Sequence, residues 1–278
     1  MTVSGNKTSI SKKSLSFDIS ACIVTFQNDP AVVSEAISSF LDTKLKVFLT
    51  VVDNMSKTDI ASVLQNQYKK NKNVKILHSG KNGGYGFGHN IGLANSPPSK
   101  YHLVLNPDVV IHKQSLEKMV KYLNDHPEIG MMAPAVLNSD GSIQHLNRRS
   151  PALLDLFYRR FIPVRYHGIS FIKNRLDRYL MMDAGYDKIT EVPFMSGCFM
   201  LLRRSMISDN NLFDDRYFMY FEDADLTRQI AGKAKVVYFP DAVITHHMAR
   251  FAHKKIKFMF IFVQSAFRYF SKWGWRFF

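Results

Sequence analysis

Apolar runs alternate with stretches of helical spacing along the first half of the chain. Largely apolar runs occupy residues 19–26 and 47–52, whereas apolar side chains recur every three or four positions in 33–40 and 116–123. Buried strands that alternate with amphipathic helices are typical of a parallel, open, doubly wound sheet. The pattern therefore predicts an α/β fold, an open sheet flanked by helices, in which ligands bind beyond the carboxyl ends of the strands.

The apolar run from Tyr101 to Ile111 is broken at its centre. Asn106-Pro107 cannot continue a central strand, and Asp108 follows directly. A hard cation such as Mg²⁺ or Mn²⁺ takes oxygen ligands and needs only one or two from the protein when phosphates complete its shell. Asp108 is therefore a candidate metal ligand at a strand end, although these residue types are equally common in a plain loop.

Residues 80–92 are rich in glycine, with aromatic and asparagine side chains between the glycines. Glycine lets a backbone approach a ligand closely and leaves N–H groups available to anions. The stretch is not a Walker A loop, since no Gly-Lys-Ser/Thr closes it, and it is not a dinucleotide fingerprint, since His89 stands where the last glycine belongs. We interpret it as one wall of a ligand pocket; a flexible surface turn is the alternative.

Polar side chains also follow three other predicted strands. Thr25 ends the first, and Asp53-Asn54 ends the second, where a carboxylate can accept a hydrogen bond from a pyrimidine base. A helix cap or a turn is the alternative for this pair. His246-His247 follow a late strand and could add a metal ligand, although a structural role is just as common for histidine.

Three carboxylates open a predicted helix after an aromatic stretch. Placing Glu222, Asp223 and Asp225 together is costly unless they face the helix N-terminus, a metal or a substrate. The preceding aromatic residues at 217–221 favour a partly buried location. An acidic first turn on a solvated helix is the competing interpretation.

Charge is spread unevenly along the chain, whose formal net charge is +14. Residues 248–278 carry seven Lys and Arg and no Asp or Glu, and residues 145–182 carry eight against two acids. Such patches attract polyanions, anionic lipid head groups or phosphorylated substrates. Cys22 and Cys198 lie inside apolar runs and are expected to be reduced core residues. Neither a signal peptide nor a membrane-spanning run is evident in the sequence.

The end of the chain predicts an amphipathic helix. Its apolar face comprises Ile256, Met259, Phe260, Val263, Phe267 and Phe270, and its polar face comprises Lys257, Gln264, Arg268 and Lys272. A basic helix with a broad apolar face and an aromatic end suits a membrane interface rich in anionic lipid. Packing on the domain, or an oligomer contact, is the alternative.

Taken in order, these motifs resemble family 2 glycosyltransferases of the GT-A fold, most closely the bacterial rhamnosyltransferases that build O-antigen and related surface polysaccharides. The resemblance covers about residues 19–250. It depends on the ordered set Val24-Thr25-Phe26, Val52-Asp53-Asn54, Asn82-Gly83-Gly84-Tyr85-Gly86-Phe87-Gly88-His89-Asn90, Leu105-Asn106-Pro107-Asp108, Ser196-Gly197-Cys198-Phe199-Met200 and Phe218-Met219-Tyr220-Phe221-Glu222-Asp223-Ala224-Asp225-Leu226.

The resemblance implies an open mixed sheet and a division of the chain into four parts. These are a disordered tail (1–16), a GT-A domain (17–250), an inserted basic and aromatic segment within it (145–187) and a membrane-associating helix (251–278). It implies inverting transfer of a sugar, best matched by L-rhamnose from dTDP-L-rhamnose, to a hydroxyl of a polyprenyl-diphosphate-linked saccharide. A UDP-hexose or UDP-galactofuranose donor is the alternative. The implied location is the cytoplasmic face of the bacterial inner membrane, against its anionic surface.

Residue roles follow from the same resemblance. Asp223 would be the general base, Asp225 would orient the acceptor, and Glu222 would complete the catalytic set. Asp108 and His246 would hold a divalent cation, Mg²⁺ or Mn²⁺, with His247 as the neighbouring alternative. Asn106 departs from the usual aspartate and is expected to act through a hydrogen bond or a water. The residues assigned to substrate binding are Thr25, Asp53, Asn54, Asn82, Gly83, Gly84, Gly86, His89, Asn90, Asn106 and Gly197.

Two other function classes compete with this interpretation. A nucleotidyltransferase would bring a basic glycine-rich loop directly after the first strand, where this chain has Gln27-Asn28-Asp29-Pro30. A basic adaptor for membranes or nucleic acid would account for the net charge but leaves the acidic helix start unexplained. We therefore expect an enzyme that does not bind nucleic acid.

Overall fold

The structure, a computed structural model, describes residues 17–207, 211–247 and 256–278. The predicted tail at 1–16, and the boundary placed between residues 250 and 251, lie outside these ranges. The strands are β1 (Phe17–Thr25), β2 (Val47–Asp53), β3 (Val74–His78), β4 (Ser99–Leu105), β5 (Val109–Ile111), β6 (Ile129–Leu137), β7 (Thr190–Glu191), β8 (Phe199–Arg203) and β9 (Lys235–His246). The α-helices are α1 (Pro30–Leu41), α2 (Ile60–Tyr68), α3 (Tyr85–Ala94), α4 (Ser115–Asp125), α5 (Leu153–Phe161), α6 (Ser170–Tyr179), α7 (Glu222–Ala231) and α8 (Ile256–Trp273).

The strands form one mixed sheet in the order β3-β2-β1-β4-β8-β6-β9-β5, with β7 beside β9. The first four strands are parallel, as the sequence predicts. β8 runs antiparallel between β4 and β6, and β5 runs antiparallel to β9. The chain moves outward from β1 through β2 to β3 and then returns to place β4 on the other side of β1. This change of direction opens a crevice at the carboxyl ends of β1 and β4, where α/β folds bind ligands.

Helices cover both faces of the sheet because each strand is apolar on both faces. One face carries α1, α2 and α4 over a large core that includes Phe40, Leu64 and Met119. The other carries α3 and α7, with Leu93 and Leu226 packed on side chains of β4, β6 and β8. Cys22 and Cys198 are free and buried, as expected.

Two elements differ from what the apolar pattern predicts. Residues 192–202 have the pattern of one strand, but only Phe199–Arg203 is extended in the sheet. Apolar residues at 236–239 and 242–245 predict two short strands, but they form one strand, β9, with an irregularity in its pairing opposite Pro134 and Ala135. The segment 145–187, which has no clean period and is interpreted as an inserted subdomain or mobile loop, contains α5 and α6, which an Arg175–Asp155 ion pair of 2.7 Å joins.

The predicted C-terminal helix is present as α8, but it packs on the domain rather than extending from it. Tyr269 and Phe270 are buried against Phe221, at the start of α7. Its remaining apolar stripe is exposed, at Ile256, Phe260, Val263 and Phe267. No helix within the described ranges combines the length and the apolar character needed to cross a bilayer.

Candidate active site

Asp108 and His246 lie side by side at one edge of the crevice. Pairing of β5 with β9 sets Val109 opposite His246, and this brings the Asp108 Oδ1 atom to 3.3 Å from the His246 Nε2 atom. Both side chains are nearly buried. Among the described residues, no group of three or more His, Cys, Asp and Glu side chains converges as a metal site. The arrangement offers two protein ligands to a divalent cation and leaves the remaining positions to phosphate and water.

Gln144 fixes the orientation of the His246 ring. Its Oε1 atom lies 3.2 Å from Nδ1, and its Nε2 atom donates to the His246 carbonyl at 2.8 Å. A proton on Nδ1 leaves the lone pair of Nε2 directed at Asp108, the tautomer that a metal ligand needs. Asn106 Nδ2 lies 3.4 Å from the same Nε2 atom, in line with its expected hydrogen-bonding role. The sequence gives no signal for Gln144, which is 102 residues away.

His247 faces away from this pair. Its Nδ1 atom lies 2.8 Å from the Ser139 hydroxyl, in the turn after β6, while its backbone N–H donates to the Asp108 carbonyl. Because neighbouring residues of a strand end point to opposite sides, only one of the two histidines can face Asp108. In this structure it is His246.

The ends of β1 and β2 form the other side of the crevice. Thr25 Oγ1 donates to Asp53 at 3.4 Å, and the Ser56 N–H donates to both Asp53 carboxylate oxygens at 3.2 and 3.3 Å. His78, at the end of β3, approaches Asp53 to 3.4 Å. The Asp53 carboxylate therefore accepts hydrogen bonds from the loop that follows β2. This short loop lies beside the glycine-rich stretch.

Asn54 and Asn82 hold that stretch in place. The Asn54 amide donates to Asn82 Oδ1 at 3.1 Å and to the Gly84 carbonyl at 2.9 Å. Gly84 has a φ of 100°, and a Cβ atom there would lie 2.1 Å from the Phe218 carbonyl oxygen. Only glycine fits this position. The backbone at 84–85 is thereby docked on the loop that leads to α7, with the Tyr85 N–H donating to Phe218.

The second half of the glycine-rich stretch is helix rather than loop. α3 begins at Tyr85, and Gly86 contacts Phe213 so closely that a Cβ atom would lie 2.7 Å from its side chain. His89 is fully buried between the rings of Tyr85 and Phe213, and burial lowers its pKa well below the ordinary value. Asn90 accepts hydrogen bonds from the backbone at 212–213. These three residues pack the helix against its neighbours, and their expected contact with substrate stays a prediction.

Tyr85 connects the two halves of the site. Its hydroxyl donates to the Gly197 carbonyl at 2.7 Å and lies 3.1 Å from Asn106 Oδ1. The Gly197 N–H in turn donates to Asp223 Oδ2 at 3.1 Å. Gly197 therefore connects the side of the crevice that holds Asp108 and His246 to the start of α7. The functional position of Tyr85 was not predicted, although the aromatics within the glycine-rich stretch are the signal that could have found it.

Asp223 and Glu222 open α7 directly after two residues with left-handed backbone, Tyr220 and Phe221. Strain of this kind is concentrated at functional sites. Asp223 Oδ1 accepts the Ala224 N–H at 2.9 Å, and burial raises the pKa of its carboxyl, with the Arg148 guanidinium acting in the opposite direction. Burial, and then the charge of Asp223, raises the pKa of Glu222 to about 8. A carboxyl with a raised pKa is suited to accept a proton near neutral pH.

Two arginines border the acidic pair. Arg148 is paired through its backbone with Phe194, and its guanidinium stacks 5.2 Å from the centre of that ring. The nearby charge of Arg148 lowers the pKa of Arg159, which also interacts electrostatically with Asp223. The charges of both arginines oppose the rise that burial causes in the pKa of Tyr179. The basic segment 145–187 thus contributes to the site, which its composition alone did not specify.

Asp225 points away from the crevice. Its carboxylate accepts from Trp273 Nε1 at 2.7 Å and pairs with Lys272 Nζ at 2.7 Å, both on α8, and Gln229 contributes a third donor. Only 1% of Asp225 is exposed. The position two residues after Asp223 lies on another side of the helix, where Asp225 anchors α8; its expected role in orienting an acceptor stays a prediction.

Comparisons with known proteins agree with this geometry. The family model described as glycosyl transferase family 2 matches residues 20–210. The chain is 29% identical over 242 residues to the N-acetylglucosaminyl-diphospho-decaprenol L-rhamnosyltransferase of Mycobacterium tuberculosis, covering 81% of this chain and 75% of that protein. It is 26% identical to the rhamnosyltransferase WbbL of Escherichia coli (strain K12), covering 68% of this chain and 72% of WbbL.

Solved structures show the same fold. The mannosyltransferase PcManGT from Pyrobaculum calidifontis, in complex with GDP-Man and Mn²⁺, superposes with a TM-score of 0.57 at 14% identity. The match covers 86% of this chain, which spans 61% of that one. The predicted GT-A fold and the predicted enzyme class are both confirmed. The chain belongs to glycosyl transferase family 2, in a branch with rhamnosyltransferase relatives, and is a glycosyltransferase with the GT-A fold.

Proposed function

We propose that this enzyme transfers a sugar, with inversion, from a nucleoside diphosphate to a hydroxyl of a lipid-linked saccharide. The observation that carries the proposal is the chain of contacts from Asp108 and His246 through Asn106, Tyr85 and Gly197 to Asp223. It sets a two-ligand cation site and a proton acceptor at the same crevice, which is what glycosyl transfer from a nucleotide donor requires.

The donor would lie across the ends of β1, β2 and β4. Asp53, at the end of β2, would accept a hydrogen bond from the base. Asp108 and His246 would hold Mg²⁺ or Mn²⁺ against the diphosphate; the Gln144 contacts that orient the His246 ring, and the nearby Asp108 carboxylate, suit such an ion. The cation supplies neutralisation of the charge that grows on the departing nucleoside diphosphate.

Asp223 would remove the proton from the attacking hydroxyl. Hydrogen bonds from the N–H groups of Gly197 and Ala224 hold both of its oxygens, so the carboxylate is fixed before the acceptor arrives. In-line attack by one hydroxyl inverts the anomeric carbon through an oxocarbenium-like state. One carboxylate is enough for that reaction. Glu222, whose pKa is raised, would already be protonated and neutral. It would therefore not compete with Asp223 for the proton of the attacking hydroxyl.

The names of the rhamnosyltransferase relatives support rhamnose as the transferred sugar, for which dTDP-L-rhamnose is the proposed donor, and the name of the mycobacterial relative supports an acceptor in which a sugar is linked through diphosphate to a polyprenol. Such an acceptor resides in a membrane. The exposed stripe of α8 and the basic segments support peripheral association with the anionic cytoplasmic face of a bacterial membrane, in the synthesis of O-antigen or a related polysaccharide.

The test is a transfer assay with a panel of nucleotide sugars and a lipid-linked acceptor. Asp223→Asn is expected to reduce transfer by about 10²–10⁴-fold, the contribution of a general base, while binding of the nucleotide is retained. Asp125→Asn, on the surface at the end of α4, is the matched control and should keep full activity. Near-normal turnover by Asp223→Asn would remove this residue from the role.

A further inference from the structure

A deep apolar groove lies between α5, α8 and the residues that follow α8. It has a volume of about 460 Å³, within the range of ligand pockets. Phe157 and Phe161 line it from α5, Val263 and Phe267 from α8, and Phe278 from the end of the chain. All five side chains are exposed, which is unusual for so many large apolar groups at one place.

The groove has a fixed shape because its two helices are tied together. The N–H groups of Leu153 and Leu154, at the start of α5, donate to the carbonyls of Arg276 and Phe277 at 2.9 and 3.3 Å. The residues after α8 therefore satisfy two donors that a helix start otherwise leaves to water. Leu156 and Phe270 close the floor of the groove.

A second cavity, of about 500 Å³, adjoins the groove and is basic. Phe278 lines both cavities. Four arginines line the second one: Arg149, Arg175, Arg178 and Arg276. Arg149 pairs with Asp183 and Arg175 with Asp155, both at 2.7 Å. Arg276 Nε donates to the Phe278 oxygen at 2.9 Å. Arg178 has no carboxylate partner among the described residues, so its positive charge in this cavity is not neutralised.

The basic cavity also leads towards the proposed base. Tyr179 lines the cavity, and its side chain is hydrogen-bonded to Arg159, which lies within electrostatic reach of Asp223. A ligand held by the arginines would thus lie on the same side of the domain as the attacking hydroxyl.

We infer that the groove and the basic cavity together bind the polyisoprenyl diphosphate of the acceptor, the chain in the groove and the diphosphate among the arginines. The inference depends on the proposed function and adds the location of the lipid. The pair of cavities matches one amphipathic ligand. A planar guanidinium group can donate two hydrogen bonds to the oxygens of a phosphate. A hydrocarbon chain would remove the exposed aromatic side chains from water, which is favourable.

Binding of farnesyl diphosphate to the full chain, followed by calorimetry, tests the inference. Phe267→Ser removes a groove side chain and Arg178→Gln removes an unpaired cavity charge, and each is expected to weaken binding by about tenfold or more. The matched controls are Phe260→Ser, exposed on α8 outside the groove, and Arg165→Gln, exposed outside the cavity; both should bind as the wild type does.

Three results would overturn the inference. Equal affinity for farnesol would exclude the arginines, and equal affinity for inorganic diphosphate would exclude the groove. Absence of farnesyl diphosphate binding, combined with equal loss of binding to phosphatidylglycerol vesicles in Phe260→Ser and Phe267→Ser, would assign the stripe to the bilayer instead. Stabilisation of the fold by a nucleoside diphosphate with Mn²⁺ is measured in parallel. Because nucleotide binding does not involve the groove, this stabilisation distinguishes failure of the lipid-binding inference from failure of the proposed transferase.

Discussion

Glu222 is the residue whose burial has the plainest energetic consequence. It is 7% exposed, and its Oε2 atom has no hydrogen-bond partner among the described residues. Burial, and then the neighbouring charge of Asp223, favour the neutral acid of this carboxyl over its anion. The folded protein therefore binds this proton more tightly than the unfolded chain does.

The sign of the pH dependence follows from the raised pKa. The contribution of Glu222 to stability is complete below its ordinary pKa of 4.5 and is lost as the pH rises through about 8. Glu222→Gln keeps a neutral side chain at every pH, so the variant should lose less stability than the wild type between about pH 5 and about pH 9. Urea denaturation across this range measures the difference. Glu35→Gln, exposed on α1, is the control, and parallel curves for wild type and Glu222→Gln would contradict the prediction.

At the scale of elements, the link between α7 and α8 stands out. Lys272 contacts both Asp225 and Asp214, and Trp273 donates to Asp225 as well. The same α7 carries Asp223, two residues before Asp225. Deleting α8 would expose Phe221 and its neighbours, so a truncated chain cannot separate membrane binding from folding.

Lys272→Met is expected to destabilise the protein by about 2 kcal/mol, because it leaves the buried Asp225 carboxylate with fewer donors. The melting temperature should fall, and transfer should fall with it as the start of α7 loosens. Lys257→Met, exposed on the same helix, is the control. The double variant with Asp225→Asn and Lys272→Met should lose less free energy of unfolding than the two single variants lose in sum, since the two residues interact directly. Full additivity would show that the pair is not coupled.

At the scale of the whole molecule, nucleotide and cation binding should stabilise the fold. Saturation at about 100 times Kd adds about 2.7 kcal/mol. We expect dTDP or UDP with Mn²⁺ to raise the melting temperature, and chelation of the ion to reverse the part of the shift that depends on it. His246→Ala should remove the Mn²⁺-dependent part, and Gln144→Leu should weaken ion binding by about 10–100-fold through the ring it orients.

His112→Ala is the control for that experiment, since His112 is an exposed histidine that contacts Thr245 rather than Asp108. An unchanged Mn²⁺ response in His246→Ala would remove this histidine from the ion site. The measurement also identifies the nucleotide, because only a nucleotide whose base donates a hydrogen bond to the Asp53 carboxylate should produce the full rise in melting temperature.

Much of the fold follows from local pattern in the sequence. Alternating apolar runs and helical spacing predict the β1-to-β4 half, because there strands and helices alternate regularly along the chain. The antiparallel insertion of β8 and the pairing of β5 with β9 depend on contacts between residues far apart in the chain, which periodicity does not encode. The site divides in the same way: Asp108 and Asp223 follow from turn and acid patterns.

Other parts of the site follow only from three-dimensional packing. Gly86 and His89 look like ligand-loop residues because glycine and histidine suit both roles, and only the contact of α3 with Phe213 shows that they pack the helix. Asp225 looks equivalent to Asp223 in the sequence, but the turn of α7 directs it to Trp273. Gln144 has no local signal at all, since its significance comes entirely from its partner His246.

The position of β9 near the end of the sheet has a consequence for the order in which activity arises. Asn106 and His246 are 140 residues apart, and the strand that brings them together, β9, follows all the other described strands in chain order. A nascent chain that has already released β1 to β8 from the ribosome still lacks the histidine and the partner strand of β5. Sugar transfer therefore requires that synthesis has passed β9, when the other strands of the sheet have already been made.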